Sequence, residues 1–441
     1  MLTAFGRAFR TPDLRRKLLF TLGIVAIFRL GAFIPSPGVN YENVKACISS
    51  ANTETGIYQL INLFSGGALL QVSIFALGIM PYITASIIIQ LLRVVIPRFQ
   101  ELHQEGAQGQ SKLTQYTRYL TIGLGLLNAT TLVSLARSGQ LLGNCGIDGS
   151  PQAIIPDSSI VTTILLIITL TAGTGLIMWM GELVTEKGVG NGMSLLIFTS
   201  IIARFPDSLR QIWITKGPGT FFIVIVLGIV VMALVIFVEQ SQRRVPVQYA
   251  KRMVGRRTVG GTNTYIPIKV NMAGVVPVIF ASSLLYLPSL ISQFAIRGDQ
   301  TNAPAWAIWI NDNLTKGDHP IYMALYFLLI VFFTYFYVAI TFNPEEVSDN
   351  MKKYGGFIPG IRAGKPTADY LQYVLSRITL PGALYLGLVA LIPLIALVLI
   401  NANQNFPFGG TSLLIMVGVG LETVKQIDAQ LQQRHYEGLL R

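Results

Sequence analysis

Ten apolar windows, nearly free of Asp, Glu, Lys and Arg, recur along this chain at 18–34, 73–96, 118–136, 158–180, 190–204, 218–238, 270–293, 320–342, 375–399 and 410–427. A bilayer core of about 30 Å takes about 20 apolar residues per helix. The pattern therefore predicts an all-α integral membrane protein with ten transmembrane helices. Composition agrees, since 12% of the residues are charged, against roughly 25% in soluble domains. The fifth window is the shortest and opens on Gly190-Asn191-Gly192, so it reads either as a span or as a re-entrant segment.

Basic residues orient the helices. With the N-terminus inside, 25 of the 33 Lys and Arg fall in cytoplasmic segments and 8 outside, which places both termini in the cytoplasm by the positive-inside rule. Arg15, Arg16 and Lys17 precede the first window as they would in a secretory signal. That window is as long as a span and ends in Pro35-Ser36-Pro37 without a small-x-small cleavage site, which predicts a retained helix. Ten helices divide into two halves of five, 1–205 and 206–441. An odd number per half makes the halves inverted, an arrangement that puts a functional path at their interface.

Two cytoplasmic loops, about 239–269 and 343–372, are longer than the other connections, and long ordered loops tend to carry function. The first holds Arg243, Arg244, Lys251, Arg252, Arg256 and Arg257, with β-type residues and Gly260-Gly261 predicting a hairpin. Its charge either serves orientation and anionic lipid or binds a partner.

Chemistry is sparse. An ion-coupled transporter keeps charged or polar groups at mid-membrane, and here Arg29, Glu182 and Glu422 lie near window ends, where snorkelling or pairing accounts for them. The three histidines, His103, His319 and His435, lack metal-ligand spacing. The sequence therefore predicts no catalytic residue, no metal site and no cofactor. Cys47 and Cys145 both fall outside on this topology. A disulfide between them is open to an oxidising compartment and equally open to failing on Cα separation.

The stretch 62–71, Asn62-Leu63-Phe64-Ser65-Gly66-Gly67-Ala68-Leu69-Leu70-Gln71, is apolar but too short and Gly-rich to span, so it either dips into the protein or lies at the interface. In the second window Ile79 and Ile83 share one helical face, as gate or as packing residues, and Pro81 between them predicts a kink.

Several of these strings occur together: Phe64-Ser65-Gly66-Gly67-Ala68-Leu69 leading to Ala76-Leu77-Gly78-Ile79-Met80-Pro81-Tyr82-Ile83, Gln115-Tyr116-Thr117-Arg118-Tyr119, Gly188-Val189-Gly190-Asn191-Gly192, Lys269-Val270-Asn271-Met272-Ala273-Gly274-Val275, Phe357-Ile358-Pro359-Gly360-Ile361-Arg362 and Gly409-Gly410-Thr411-Ser412-Leu413-Leu414-Ile415. In these strings, and over nearly its whole length, the chain resembles the SecY family, the channel subunits of the bacterial Sec protein translocase. The resemblance implies a central hourglass pore between the halves, with a lateral gate toward lipid. It implies a passive protein-conducting channel that passes secretory chains and releases membrane helices sideways. By position, the pore ring would be Ile79, Ile83, Ile197, Ile279 and Ile415. The plug would be about 60–72, including Asn62, Phe64, Ser65, Gly66, Gly67 and Leu69. The lateral gate would run near Thr84, Asn128, Ser283 and Leu287. Arg256, Arg257 and Arg362 match basic positions that dock the ribosome or the SecA motor ATPase, and SecE-like and SecG-like membrane subunits are implied. An ion-coupled small-solute transporter is the competing class, and it would need a polar centre that the sequence lacks.

Overall fold

The computed structural model describes residues 9, 11–50, 67–69, 71–137, 153–157, 159–249, 252–254, 257–259, 263–296, 304–315, 319–400 and 410–437. Thirteen helices are described. They are α1 (Pro12–Phe33), α2 (Tyr41–Ser50), α3 (Met80–Val95), α4 (Pro97–Gln104), α5 (Ala107–Arg137), α6 (Ile160–Lys187), α7 (Gly192–Gln240), α8 (Val276–Ile296), α9 (Ala305–Ile310), α10 (Pro320–Thr341), α11 (Pro344–Lys353), α12 (Lys365–Ile400) and α13 (Gly410–Glu437). Each of the ten apolar windows contains helical residues, so the chain is an all-helical membrane protein apart from two small sheets, of three and two strands. Five described stretches are each long and apolar enough to cross a bilayer unaided, and a sixth is if α3 and α4 count together.

The helix ends follow local chemistry. Pro sits in the first turn of α1, α3, α4, α10 and α11, where its missing N–H leaves nothing unpaired. Asn191 caps α7, its Oδ1 accepting from the N–H groups of Met193 and Ser194. Ahead of α6, the Thr162 hydroxyl and the Ser159 N–H both donate to Asp157, which holds this exposed carboxyl below its ordinary range. Within the spans, threonine hydroxyls donate back one turn, as Thr121 does to Thr117 and Thr334 to Ile330, so these hydroxyls are satisfied in apolar surroundings.

Apolar surface is turned outward as well as inward. On the outer part of α7, Phe222, Ile223, Val226, Ile229, Val230 and Phe237 are exposed, and only 17% of its most apolar window is buried. Such a surface is stable against lipid tails and not against water. Three clusters organise the interior. One lies wholly before residue 205 and joins Leu69, Val72 and Ala76 to α5 and α6. A second joins α8, α10, α12 and α13. The third draws on α1, α3, α6, α7, α8 and α13, from both halves.

The structure departs from the sequence expectations at three places. The second window is not helical at its start: residues 71–79 form successive turns, and α3 begins only at Met80. Pro81 therefore lies in the first turn of α3 and kinks nothing, while the sharp bend, 100°, falls at Ile96 between α3 and α4. The fifth and sixth windows form one helical stretch, broken at Gly217 by a left-handed φ of 79°.

The two long loops build a single platform. Strand β1 (Gln242–Tyr249) pairs antiparallel with β4 (Asn263–Lys269), from Gln242 opposite Lys269 to Gln248 opposite Asn263. Between them β2 (Arg252–Val254) and β3 (Arg257–Val259) form a two-stranded tip, in agreement with the predicted hairpin. From the second loop, β5 (Gly356–Phe357) adds to the other edge of β1. Val245, Val247, Ile268, Ile358, Leu371 and Val374 bury the joint between the loops.

Candidate functional site

The five isoleucines singled out in the sequence fall into the third cluster. Ile79 caps α3, Ile83 follows one turn later, Ile197 comes from α7, Ile279 from α8 and Ile415 from α13. Ile79, Ile197 and Ile415 are 2%, 4% and 1% exposed, while Ile83 and Ile279 are half-buried against them. The residues around them, Phe28, Phe75, Ile177, Met180, Leu196, Ile201 and Val419, are apolar as well. A closure of branched aliphatic groups offers an ion no ligand, and it yields by rotamer change to anything that wedges through it.

The segment ahead of α3 packs onto this cluster from one side. Ala68, fully buried, belongs to the isoleucine cluster, and Leu69 and Val72 belong to the neighbouring one. Its foot is tied to the end of α1: Ser36 N–H donates to Val72 O at 3.1 Å and Ile74 N–H to Ile34 O at 3.0 Å, around a bridge between Pro35 and Ser73. Val72 has a φ of 46°, a left-handed conformation that a β-branched residue adopts at a cost. Its fully buried side chain offsets that cost. The turns that follow lie between two helices at near-contact. A Cβ at Gly31 of α1 would overlap the Phe75 ring, and one at Gly173 of α6 would overlap the Ile74 carbonyl oxygen.

Charges near the cluster have partners. The Arg204 guanidinium lies against Gly67, at 3.3 Å from where a Cβ would stand, and Asp207 is close enough to act electrostatically on both Arg204 and Arg29. Arg29 also covers the Phe33 ring at 5.2 Å. Glu182 is paired, as anticipated for a charge near a helix end, in a bidentate ion pair with Arg118 at 2.8 and 3.0 Å. Among the described residues no group of three or more His, Cys, Asp or Glu is placed to hold a metal.

The fold that emerges is a helical assembly with an apolar cluster drawn from six helices and a two-loop platform, and it has known counterparts. The SecY family profile matches residues 73–424, four-fifths of the chain. The chain belongs to the SecY family. It is 64% identical to the protein translocase subunit SecY of Streptomyces galbus and 61% identical to that of Micrococcus luteus, each over the full length of both chains. Among solved structures, one of a protein-conducting channel aligns with a TM-score of 0.60 at 18% identity, covering 93% of this chain and 91% of that one. An idle yeast Ssh1 complex bound to the 80S ribosome aligns with a TM-score of 0.62 at 15% identity, covering 94% and 89%. These likenesses carry the SecY fold of ten helices, including spans that length and hydropathy alone do not single out. As a SecY translocase subunit, the chain is a non-enzymatic, multi-pass membrane protein that conducts polypeptide.

Within this SecY-family fold the residues expected at the gate and plug are placed unevenly. Thr84 donates to Met80 O on its own helix, Asn128 is half-buried on α5, and the Ser283 hydroxyl is buried without a hydrogen-bond partner. The Leu287 side chain lies outside the described residues, as do Asn62, Phe64, Ser65 and Gly66 of the plug. The same holds for Arg256, the side chains of Arg257 and Cys47, and Cys145, and thus for any pairing of the cysteines. Arg362 is exposed on the platform, next to β5. Sequence reasoning missed Ile87 and Leu91 of α3, which follow Ile83 at four-residue steps and pack into the cluster of α8, α10, α12 and α13. Their i, i+4, i+8 spacing was there to be read; that this face meets residues of the C-terminal half was not.

Proposed function

We propose that translocating polypeptide passes through the isoleucine cluster, with Ile79, Ile83, Ile197, Ile279 and Ile415 as the constriction and the segment 60–72 as a plug that rests on it. One observation carries this reading: side chains from α3, α7, α8 and α13, two helices from each half, converge in one uncharged cluster into which Ala68 is also packed. The halves are 1–205 and 206–441, a division that the cluster lying wholly before residue 205 supports. Their lateral seam runs along Ile83, Ile87 and Leu91 of α3 against α8 and α10, near Thr84, Asn128, Ser283 and Leu287.

The direct test is a photocrosslinker at Ile83 in proteoliposomes, with a secretory chain stalled by a folded C-terminal tail. The expected result is a crosslink to the stalled chain that disappears without the driving partner. A stalled chain that never crosslinks at Ile83 places the path elsewhere.

The platform is the docking surface for a cytoplasmic driver, the ribosome or the SecA ATPase, with SecE-like and SecG-like subunits completing the complex in a bacterial plasma membrane and both termini cytoplasmic. Solved relatives of this fold are bound to ribosomes. Arg362, exposed beside β5, carries a forked donor suited to RNA phosphate, and Arg257 of β3 is of the same residue type. Reversing both, Arg257→Glu with Arg362→Glu, is expected to weaken ribosome binding by roughly tenfold or more at low salt, with a smaller loss at high salt, where phosphate contacts are already screened. Co-flotation with vesicles measures this, and equal binding by both proteins at low salt would remove these arginines from the interface.

A further inference from the structure

The string 269–275 joins the platform to α8, and nothing in the constriction, plug or docking surface uses its polar side chain. That side chain, Asn271, is 3% exposed. Its Nδ2 donates to Glu239 Oε1 at 2.6 Å and to Gly274 O at 3.1 Å, so both of its N–H groups are engaged. Glu239 is in the last turn of α7, immediately before the chain leaves for β1. Gly274 has a left-handed φ of 59° and ends the turn from which α8 starts, the N–H groups of Val278 and Ile279 both donating to Val275 O. One side chain thus ties together the helix that enters the hairpin, the strap that leaves it and the turn that leads into the helix carrying Ile279.

The surroundings make this junction stiff. Val270 N–H donates to Ser241 O at 3.0 Å, which closes the base of the β1–β4 ladder. A Cβ at Gly382 of α12 would overlap the Val270 carbonyl oxygen, and one at Gly418 of α13 would lie 3.0 Å from the Val275 side chain. The strap is therefore wedged against α12 and α13 and has no slack in which a displacement of the hairpin would dissipate. Lys269 and Lys425 are close enough to act on the Glu239 carboxylate, yet the only hydrogen bond to that carboxylate among the described residues is the one from Asn271. Val275 itself packs against both the isoleucine cluster and the cluster of the C-terminal half.

We propose that Asn271 and Glu239 form a positioning clamp that couples docking on the β1–β4 hairpin to the placement of α8, and hence of Ile279, in the constriction. A ribosome that tilts the hairpin then moves α8 with it. With the clamp broken, the hairpin binds as before and the movement is absorbed at the strap. The proposal rests on the docking and constriction reading above.

The test uses the full translocase complex in planar bilayers with ribosome–nascent-chain complexes as the probe, reading binding by flotation and opening by conductance. Asn271→Asp keeps the side-chain shape and removes the donor, and it is expected to leave binding within about twofold while lowering ribosome-stimulated conductance roughly tenfold, the effect of one charge-assisted hydrogen bond. Asn271→Asp with Glu239→Gln keeps the pair's net charge of −1 and reverses the hydrogen bond, the Gln amide donating to the Asp carboxylate, and is expected to recover most of the response. Stimulation by Asn271→Asp equal to the parent protein's overturns the clamp, as does parallel loss of binding and opening, or a double variant no better than the single one. Should the parent protein itself show no ribosome-stimulated conductance, the docking reading fails and takes the clamp with it. If Asn271→Asp does not accumulate, Glu239→Gln and Glu239→Ala decide together: Asn271 still donates to the Gln amide oxygen, so Glu239→Gln is expected to couple better than Glu239→Ala, and equal loss in the two, or parental coupling in both, overturns the hydrogen-bonded clamp.

Discussion

Replacing Ile83 by Gly raises the resting ion conductance of the reconstituted translocase, by about tenfold if the barrier falls by about 1.4 kcal/mol. The argument starts from what the side chain touches. Ile83 is half-buried and is the one of the five isoleucines that packs against both the isoleucine cluster and the cluster of the C-terminal half. Its loss opens the closure and the upper end of the seam together. An apolar constriction excludes ions because it excludes the water they would have to carry, and removing one of five branched side chains admits that water. Ile79 is a less informative position, because it packs into the isoleucine cluster alone and not against the cluster of the C-terminal half. Single-channel recording without driver or substrate measures the effect. A baseline equal to that of the parent protein would show that Ile83 is a packing residue and that the closure lies elsewhere.

Gly173→Val is expected to abolish accumulation of the folded protein. Gly173 faces the Ile74 carbonyl oxygen so closely that even a Cβ overlaps it. A side chain struck by an added methyl group can rotate away, but a backbone carbonyl held in consecutive turns cannot. Overpacking in a yielding core costs about 1–3 kcal/mol, and here the cost lies at or beyond the upper end of that range. It falls on the segment from Ile74 to Ile79, so the closure and the plug foot are displaced along with α6. Gly175, two residues on, has open space where a Cβ would go. Gly175→Val is the matched control, expected to accumulate normally and to conduct as the parent does. Membrane-fraction yield and thermal unfolding of the purified complex measure both. Equal stability of the two variants would mean that α6 and the turns do not approach as described.

The ten helices were legible in the sequence because each satisfies its own backbone and its apolar residues lie within one contiguous window. The proposed orientation rests on the uneven distribution of Lys and Arg between loops. The five isoleucines proposed as the ring were named from the family resemblance and not from spacing, since Ile79 and Ile83 look like any packing pair. Helix α3 shows where local reading stops. Residues 73–79 are as apolar as the helix that follows, yet they turn, because Gly31 and Gly173 let two helices close on them and because Ser36 and Ile34 supply the hydrogen-bond partners a helix would otherwise provide. Pro81 was read as a kink because its position relative to the helix start was unknown. In the first turn the same residue costs nothing.

The sequence by itself determined that this chain lives in a bilayer, how many times it crosses and which family it belongs to, because hydropathy, loop charge and ordered motifs are local or one-dimensional signals. Only the tertiary structure decided what meets what. It gathered isoleucines from four helices into one closure, added β5 of the second loop to the edge of β1, turned Ile87 and Leu91 toward the opposite half, and set Asn271 against Glu239. Each of these joins residues far apart along the chain, and such pairings are selected by the packing of the whole helix assembly and leave no periodicity in either partner's own sequence.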